Sequence, residues 1–133
     1  MANILLVDDS PSILHMIEQW LITAGHRVTS RNSGLHIARL LRTTNFDLVI
    51  TDIYMPDVDG LQLLSLLRKE HRKLPCIAMS SAEGNLNFLG AAKQLGAVAT
   101  LHKPFTEDAL RATVSAVLEP TAISTPVSKT SAS

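Results

Sequence analysis

The sequence has few of the features that mark secreted, nucleic-acid-binding or membrane-spanning proteins. It contains a single cysteine among 133 residues, so it forms no internal disulfide, which suits a reducing compartment. Twelve basic and twelve acidic side chains give a formal charge of zero, so no basic field indicates direct binding of nucleic acid. No apolar run approaches the roughly 18 residues of a membrane span, and no basic-then-apolar leader is present. We therefore expect a cytoplasmic protein.

Four short apolar runs are present instead, and each ends in a polar group. The residues at these ends are Asp8 and Asp9, Asp52, Ser80 and Ser81, and Lys103. Buried parallel strands read as continuous apolar runs, and ligands of open α/β sheets bind outside the carboxyl ends of the strands. The pattern therefore predicts that all four polar groups meet at one edge of a parallel sheet.

Helical patterns lie between these runs. Ser10-Pro11 is a helix start, with the serine as N-cap, and apolar residues then recur at helical spacing: Ile13, Met16, Ile17, Trp20 and Leu21. Further helices are predicted after Ser33, over the leucines from 61 to 67, from Phe88 to a glycine cap at Gly96, and from Thr106 to Leu118. Arg27 to Ser30 is predicted to be an edge strand. Strand and helix alternate five times, which predicts a doubly wound parallel sheet covered on both faces.

The length of the chain suits one domain, predicted over residues 1–119. From Pro120 to Ser133 the sequence is rich in Ser, Thr, Pro and Ala without periodicity, which predicts a disordered tail.

The four strand ends carry recognisable motifs. They read Leu-Leu-Val-Asp-Asp-Ser-Pro at the first strand, Asp-Leu-Val-Ile-Thr-Asp-Ile-Tyr-Met-Pro-Asp-Val-Asp-Gly at the third, and His-Lys-Pro-Phe at the fifth, with Leu-Gly-Ala before the fifth. In this order the chain resembles the receiver domain of two-component response regulators over almost everything but the tail. The resemblance implies a flavodoxin-like (βα)5 fold with strand order 2-1-3-4-5.

The resemblance also implies a function. A stand-alone receiver similar to the chemotaxis regulators takes a phosphoryl group from a histidine kinase or a phosphotransfer histidine onto Asp52, with Mg²⁺, and then changes its binding to a partner protein. It assists only its own phosphorylation and dephosphorylation, and so is not an enzyme in the usual sense. We expect no DNA-binding output domain in this chain and a monomer or phosphorylation-dependent dimer. A relay intermediate and a terminal switch both remain open.

The acidic residues predict a metal site. Crowding Asp8, Asp9 and Asp52 together would raise their pKa values unless a cation sits among them, and Mg²⁺ accepts carboxylate, water and phosphate oxygens. The resemblance implies Asp9 and Asp52 as direct ligands, Asp8 as a ligand through water, and the main-chain carbonyl of Tyr54 as another. Lys103 would balance the charge of the phosphate, and the resemblance implies a cis bond from Lys103 to Pro104.

A hydroxyl at the end of the fourth strand is expected to contact the phosphate. Counting from Pro75 favours Ser80, but the segment from there to Lys103 is one residue longer than is common in the family, so Ser81 stays an alternative. Many family members carry an aromatic residue where this chain has Thr100, so Thr100 is expected to contribute at most a hydroxyl or a small gap to the switch. Tyr54 and Ala82 are expected to tune the lifetime of the phosphoaspartate.

Two other protein classes have some of these features. A phosphatase of the haloacid-dehalogenase type would need a second aspartate where Tyr54 stands, and a flavin carrier would need a Ser/Thr/Gly-rich loop in place of Asp8 and Asp9. Neither class explains Lys103-Pro104. The histidines lack metal-ligand spacing, Asp57 and Asp59 resemble turn formers, and Cys76 is expected to be a buried thiol.

Overall fold

The computed structural model describes residues 2–53, 60–70, 73–81, 90, 92–94 and 96–119. Its strands are β1 (Asn3–Val7), β2 (Arg27–Arg31), β3 (Leu48–Asp52), β4 (Cys76–Ser81) and β5 (Ala99–Lys103). Its helices are α1 (Pro11–Thr23), α2 (Ile37–Thr43), α3 (Gly60–Glu70) and α4 (Glu107–Leu118). Residue 90 and residues 92–94 are also helical. Within these residues no helix is long and apolar enough to cross a membrane.

The strands form one parallel sheet in the order β2-β1-β3-β4-β5. Ile4 is in register with Leu48, Val49 with Cys76, and Ile77 with Ala99. The predicted parallel sheet and strand order are confirmed. Because all strands run the same way, their carboxyl ends lie along one rim of the sheet, called here the carboxyl rim, and their amino ends along the opposite rim, the amino rim.

Each face of the sheet is covered by its own apolar cluster. Alternate strand residues such as Leu5, Val49 and Ala78 pack on one face with residues of α2 and α3. Leu6, Ile50 and others pack on the opposite face with residues of α1 and α4. This alternation follows from the two-residue period of strands, and burial on both faces explains why the inner strands β1 and β3 read as continuous apolar runs.

Helix α1 begins at the predicted residue, Pro11. Ser10 occupies the N-cap position before Pro11, but its hydroxyl makes no capping hydrogen bond. At the other end Gly25 has a φ of 97°, a left-handed conformation that glycine adopts without strain. The helical spacing that groups Met16 with Ile17 and Leu21 predicts that Met16 is part of the core, and this is wrong: Met16 is 39% exposed, whereas Ile17 and Leu21 are fully buried. Met16 is absent from the apolar cluster that α1 forms with the sheet.

Helix α2 starts later than the sequence predicted. Ser33 does not open the helix; its hydroxyl accepts a hydrogen bond from the Leu35 amide at 3.1 Å and forms a turn. The helix begins at Ile37, preceded by His36 in a left-handed conformation with φ of 66°. A serine can accept a hydrogen bond from the amide two residues later in a turn or cap the start of a helix, so the sequence alone does not distinguish the two.

The fourth predicted helix is only partly within the described residues. Ala92 is buried, and Gly96, with φ of 110°, donates a hydrogen bond to the Lys93 carbonyl at 3.1 Å. This agrees with the predicted glycine cap. Phe88 and Leu95 lie outside the described residues.

Helix α4 follows the carboxyl end of β5. The Thr106 hydroxyl caps it by accepting a hydrogen bond from the Ala109 amide at 3.0 Å. Just before the cap, the ring of Phe105 packs against Trp20 of α1, with centroids 6.4 Å apart and planes tilted by 59°. The start of the last helix is therefore fixed both to its own first turn and to α1.

Candidate functional site

Three carboxylates meet at the carboxyl rim. Asp8 follows β1 and is fully buried, Asp52 ends β3 and is 6% exposed, and Asp9 is exposed. Each offers an oxygen, and these oxygens lie within 4.8 Å of one another. The predicted convergence of Asp8, Asp9 and Asp52 is therefore present in the structure.

Lys103 lies between two of these acids. Its Nζ is 2.6 Å from Asp8 Oδ2 and 3.2 Å from Asp52 Oδ2, and only 11% of its side chain is exposed. Buried carboxylates are costly unless they are paired with a cation. The ammonium therefore holds two strand ends together as well as balancing their charge. The Lys103–Pro104 bond is cis, as the resemblance implied.

Two opposing effects act on the Lys103 ammonium. Burial acts to lower its pKa, but the hydrogen bond and charge of Asp8, with a further contribution from Asp52, outweigh burial and raise the pKa above its usual value. Lys103 is therefore a permanent cation at neutral pH, available to any negative group that enters the site.

Asp8 has a structural role that the sequence did not predict. Its Oδ2 accepts the Lys103 hydrogen bond, and its Oδ1 accepts one from the Ser10 amide at 2.9 Å. Sequence reasoning gave Asp8 only a water-mediated contact with metal and directed Lys103 at the phosphate. No local signal shows this pair, because 95 residues separate the two side chains.

The end of β4 lies beside Asp52 and Lys103. Met79 is in register with Asp52, Ser80 with His102, and Ser81 with Lys103. Ser80 is buried, with 3% of its surface exposed. Both serines that the sequence proposed are therefore at the carboxyl rim.

Thr100 lies on the same face of the sheet as Ser80. It is in register with Ala78, and Ser80 follows Ala78 by two residues, so alternation puts both on one face. Thr100 is half-buried. The register thus makes Ser80 and Thr100 diagonal neighbours across β4 and β5.

Some sequence predictions fall outside the described residues. Tyr54, Ala82, Asp57 and Asp59 belong to this group. Their expected roles remain predictions.

Cys76 begins β4 and so lies at the opposite rim from the three carboxylates. Burial raises the pKa of the Cys76 thiol to about 12 and keeps it protonated, as expected of a core thiol. His15, His36 and His102 are exposed, His26 directly precedes β2, and His71 lies outside the described residues. Among the described residues, the side chains grouped closely enough to hold a metal are Asp8, Asp9 and Asp52.

The carboxylate cluster suits a hard divalent cation. Its oxygen donors are the ligand type that Mg²⁺ prefers, and Asp9 is open to solvent, from which waters complete such a shell. Lys103 compensates only one of the three negative charges, so a divalent ion would balance the remainder. The residues present therefore fit Mg²⁺.

Comparison with known proteins agrees with this geometry. The family model described as response regulator receiver domain matches residues 4–115. The transcriptional regulatory protein GlrR of Escherichia coli strain K12 is 36% identical over 124 residues, which cover 93% of this chain and 28% of that protein. The two-component response regulator ARR2 of Arabidopsis thaliana is 39% identical over 111 residues, covering 82% of this chain and 16% of that protein. The chain thus spans under a third of these relatives.

Solved structures show the same fold over whole chains. The chemotaxis protein CheY4 of Vibrio cholerae matches with a TM-score of 0.80 and 30% identity, covering 89% of this chain and 99% of that chain. A response regulator receiver domain protein from Clostridium thermocellum matches with a TM-score of 0.83 and 28% identity, covering 90% and 96%. With its parallel 2-1-3-4-5 sheet and its acids at the carboxyl rim, this chain belongs to the response regulator receiver domain family.

Proposed function

We propose that the chain is a phosphoacceptor switch in which Asp52 takes a phosphoryl group from a phosphohistidine donor. The observation that carries this proposal is the ion-paired cluster at the carboxyl rim, where Asp52 lies 3.2 Å from the Lys103 ammonium and beside Asp8 and Asp9. The donor is a histidine kinase or a histidine phosphotransfer protein, the partners with which receiver domains interact.

In the proposed step a carboxylate oxygen of Asp52 attacks the phosphorus of the donor. A P–O bond forms while the P–N bond to the donor imidazole breaks, and the imidazole leaves with the electron pair and takes up a proton. Such transfers depend mainly on positioning and on balancing the charge of the phosphoryl oxygens. Asp52 suits the role because β3, buried on both faces, holds it at the rim.

Lys103 is proposed to balance the charge that arrives. In the unmodified protein its ammonium pairs with Asp8 and Asp52. When Asp52 becomes an acyl phosphate, the carboxylate oxygen that bonds to phosphorus loses its charge and the phosphoryl oxygens carry the negative charge instead. Lys103 can keep its bond to Asp8 and turn its other N–H groups to the phosphate, since an ammonium has three donors.

Asp8, Asp9 and Asp52 are proposed to hold Mg²⁺, with the Tyr54 carbonyl as a further ligand. The bound ion would supply charge neutralisation for the crowded carboxylates and the incoming phosphoryl oxygens. The proposal rests on the oxygens of the three carboxylates lying within 4.8 Å of one another.

Ser80 is proposed to donate its hydroxyl to a phosphate oxygen once Asp52 is modified. That movement would draw the end of β4 toward Asp52 and alter the space beside Thr100 on the same face. Thr100 has no aromatic ring that could move into the site, so the movement of the end of β4 would pass to the segment after β4. The surface that changes for the partner is then the fourth predicted helix with β5 and α4.

We further propose that this 133-residue chain acts through a protein partner. Relatives such as GlrR are named transcriptional regulators, but the match covers 28% of that protein. A pull-down with and without beryllofluoride distinguishes a terminal switch from a relay intermediate. A terminal switch gains a partner with the phosphate mimic, whereas a relay intermediate exchanges phosphate with a histidine protein and gains none.

The direct test is incubation with acetyl phosphate and Mg²⁺ followed by intact mass spectrometry. We expect one phosphoryl adduct on the wild type and none on Asp52→Ala. Asp108→Asn, an exposed acid in the first turn of α4, is the matched control and should keep the adduct. An adduct that persists in Asp52→Ala would refute Asp52 as acceptor.

The hydroxyl is tested with Ser80→Ala and Ser81→Ala. Both are expected to accept phosphate, but only the variant that lacks the contacting hydroxyl should lose the shift in Trp20 fluorescence on adding beryllofluoride. Trp20 reports the site because it packs on Phe105, two residues after Lys103. Loss in Ser81→Ala alone would move the role from Ser80 to Ser81.

A further inference from the structure

Four polar or charged residues are buried in the part of the chain that the structure describes: Asp8, Thr51, Asp52 and Ser80. Asp8, Asp52 and Ser80 take part in the proposed phosphoryl transfer, whereas Thr51 has no part in it so far. Thr51 is fully buried and directly precedes Asp52 in β3. Burying a hydroxyl costs free energy unless it is hydrogen-bonded, so its hydrogen bond indicates what the hydroxyl does.

The Thr51 side chain lies on the opposite face of the sheet from that of Asp52, because successive strand residues alternate between faces. Thr51 is in register with Val7 of β1 and with Ala78 of β4. Both neighbours belong to the apolar cluster that the sheet forms with α2 and α3. The Thr51 hydroxyl is therefore not placed to touch a phosphoryl group on the Asp52 carboxylate.

The hydroxyl is bonded to the main chain of Asp52 instead. Thr51 Oγ1 donates a hydrogen bond to the Asp52 carbonyl oxygen at 2.9 Å. That carbonyl and the Ile53 amide belong to one planar peptide group, and the Ile53 amide donates to the Met79 carbonyl at 2.9 Å. The peptide group that follows Asp52 is thus held at both ends, by the Thr51 side chain and by β4.

The orientation of this peptide group affects the Asp52 carboxylate because Asp52 is the last residue of β3. The peptide group fixes the main chain on the carboxyl side of Asp52, from which the side chain reaches to within 3.2 Å of the Lys103 ammonium. Phosphoryl transfer needs the attacking oxygen in line with the leaving group, and a misplacement of about 1 Å can cost about 100-fold in rate. Valine has nearly the shape of threonine but cannot make the hydrogen bond.

We propose that Thr51 is a positioning residue whose hydroxyl fixes the peptide group between Asp52 and Ile53 and thereby aligns the Asp52 carboxylate for attack on phosphorus. This inference rests on the proposed function, in which Asp52 is the acceptor. Thr51 transfers no proton and contacts no reactant, and it acts only through the main chain of Asp52.

The test measures the rate of adduct formation by intact mass at several acetyl phosphate concentrations and saturating Mg²⁺. We expect Thr51→Val to lower the maximal rate about tenfold without changing the half-saturating concentration, and Thr51→Ser, which keeps the hydroxyl, to stay within about twofold of the wild type. Thr113→Val is the matched control, because Thr113 Oγ1 donates to a main-chain carbonyl, that of Ala109, at 2.8 Å within α4. It should keep the wild-type rate.

Amide hydrogen exchange gives a second readout that needs no phosphate. Thr51→Val should speed exchange of the Ile53 amide about tenfold more than that of the Val49 amide, which donates to the Pro75 carbonyl at the other end of β3.

Three results would overturn the role of Thr51. They are a wild-type rate in Thr51→Val, a rate in Thr51→Ser as low as that in Thr51→Val, and an equal rise in exchange at Ile53 and Val49, which would mean a general loss of stability. A wild type that takes up no phosphate would instead refute the proposed function, and the exchange comparison would still decide whether Thr51 holds the peptide group.

Discussion

The two rims of the sheet differ in the chemistry of their side chains. At the carboxyl rim β1, β3 and β5 end at charged side chains, and the Lys103 ammonium pairs with the buried Asp8 and Asp52. At the amino rim the strands begin beside an open apolar groove and one half-buried histidine, His26. The central strands β1 and β3 are mainly apolar between the rims, so the contrast arises from the residues at the strand ends.

The two rims differ in what their stability depends on. Buried charges at the carboxyl rim depend on their partners, so losing one partner leaves another charge unpaired in a place that water does not reach. The amino rim holds little buried charge and depends on weak apolar contacts. We therefore expect substitutions at the carboxyl rim to have large effects and those at the amino rim to have small ones.

Removing the Lys103 ammonium should have the largest effect. Lys103→Met leaves Asp8 fully buried without its cation, which we expect to lower the free energy of unfolding by about 3 kcal/mol in Mg²⁺-free buffer. Urea denaturation measures it. Lys93→Met, at an exposed lysine, is the control and should change stability by less than about 0.5 kcal/mol. Equal stabilities for the two variants would show that the ion pair does not hold the rim together.

The N-cap residues of the two helices that start at the carboxyl rim should differ in how much stability is lost when each is replaced by alanine. The Thr106 hydroxyl accepts a hydrogen bond from the Ala109 amide, whereas the Ser10 hydroxyl caps nothing. Thr106→Ala should therefore cost about 1 kcal/mol, and Ser10→Ala should stay within about 0.5 kcal/mol. Thermal denaturation of both variants checks this order, and a larger loss for Ser10→Ala would reverse it.

The amino rim should show a small dependence on pH. His26 accepts a hydrogen bond from the Ala2 amide at 3.1 Å, and burial, with a nearby positive charge, lowers its pKa below the ordinary 6.5. A lowered pKa means that the unfolded chain binds the proton more readily. This contribution is complete above pH 6.5 and is lost as the pH falls from there toward the lowered value.

Urea denaturation at about pH 8 and about pH 5.5 measures this dependence. The wild type should lose more stability on acidification than His26→Gln. His15→Gln, at an exposed histidine of α1, should behave like the wild type. Identical pH profiles for wild type and His26→Gln would show that His26 does not cause the pH dependence of stability.

The sequence predicted the parts of the fold that depend on local pattern. Apolar runs ending in Asp8 and Asp52 placed β1 and β3, because burial on both faces of these central strands leaves a continuous apolar run. The run before Lys103 placed the edge strand β5 and the rim where the three strand ends meet. The strand order came from the family resemblance, since nothing in a run of apolar residues says which strand is its neighbour.

The remaining differences have physical reasons. A serine before a turn and one before a helix look the same, so α2 was placed too early after Ser33. Met16 fits the helical period but is 39% exposed and does not join the apolar cluster of α1 and the sheet, because periodicity marks a helix face without fixing how far its packing partners extend. The pairing of Lys103 with Asp8 depends on side chains 95 residues apart, and local pattern carries no information about such a contact.

The most direct test of the account is the thermal midpoint of wild type and Asp9→Asn, each with and without Mg²⁺. Without Mg²⁺, Asp9→Asn should melt higher than the wild type, because it relieves repulsion from Asp8 and Asp52 without removing a Lys103 partner. With Mg²⁺ the order should reverse, because binding to the intact carboxylates stabilises the wild type. A wild-type midpoint that Mg²⁺ leaves unchanged, or an equal rise in Asp9→Asn, would contradict the claim that these acids share a divalent ion.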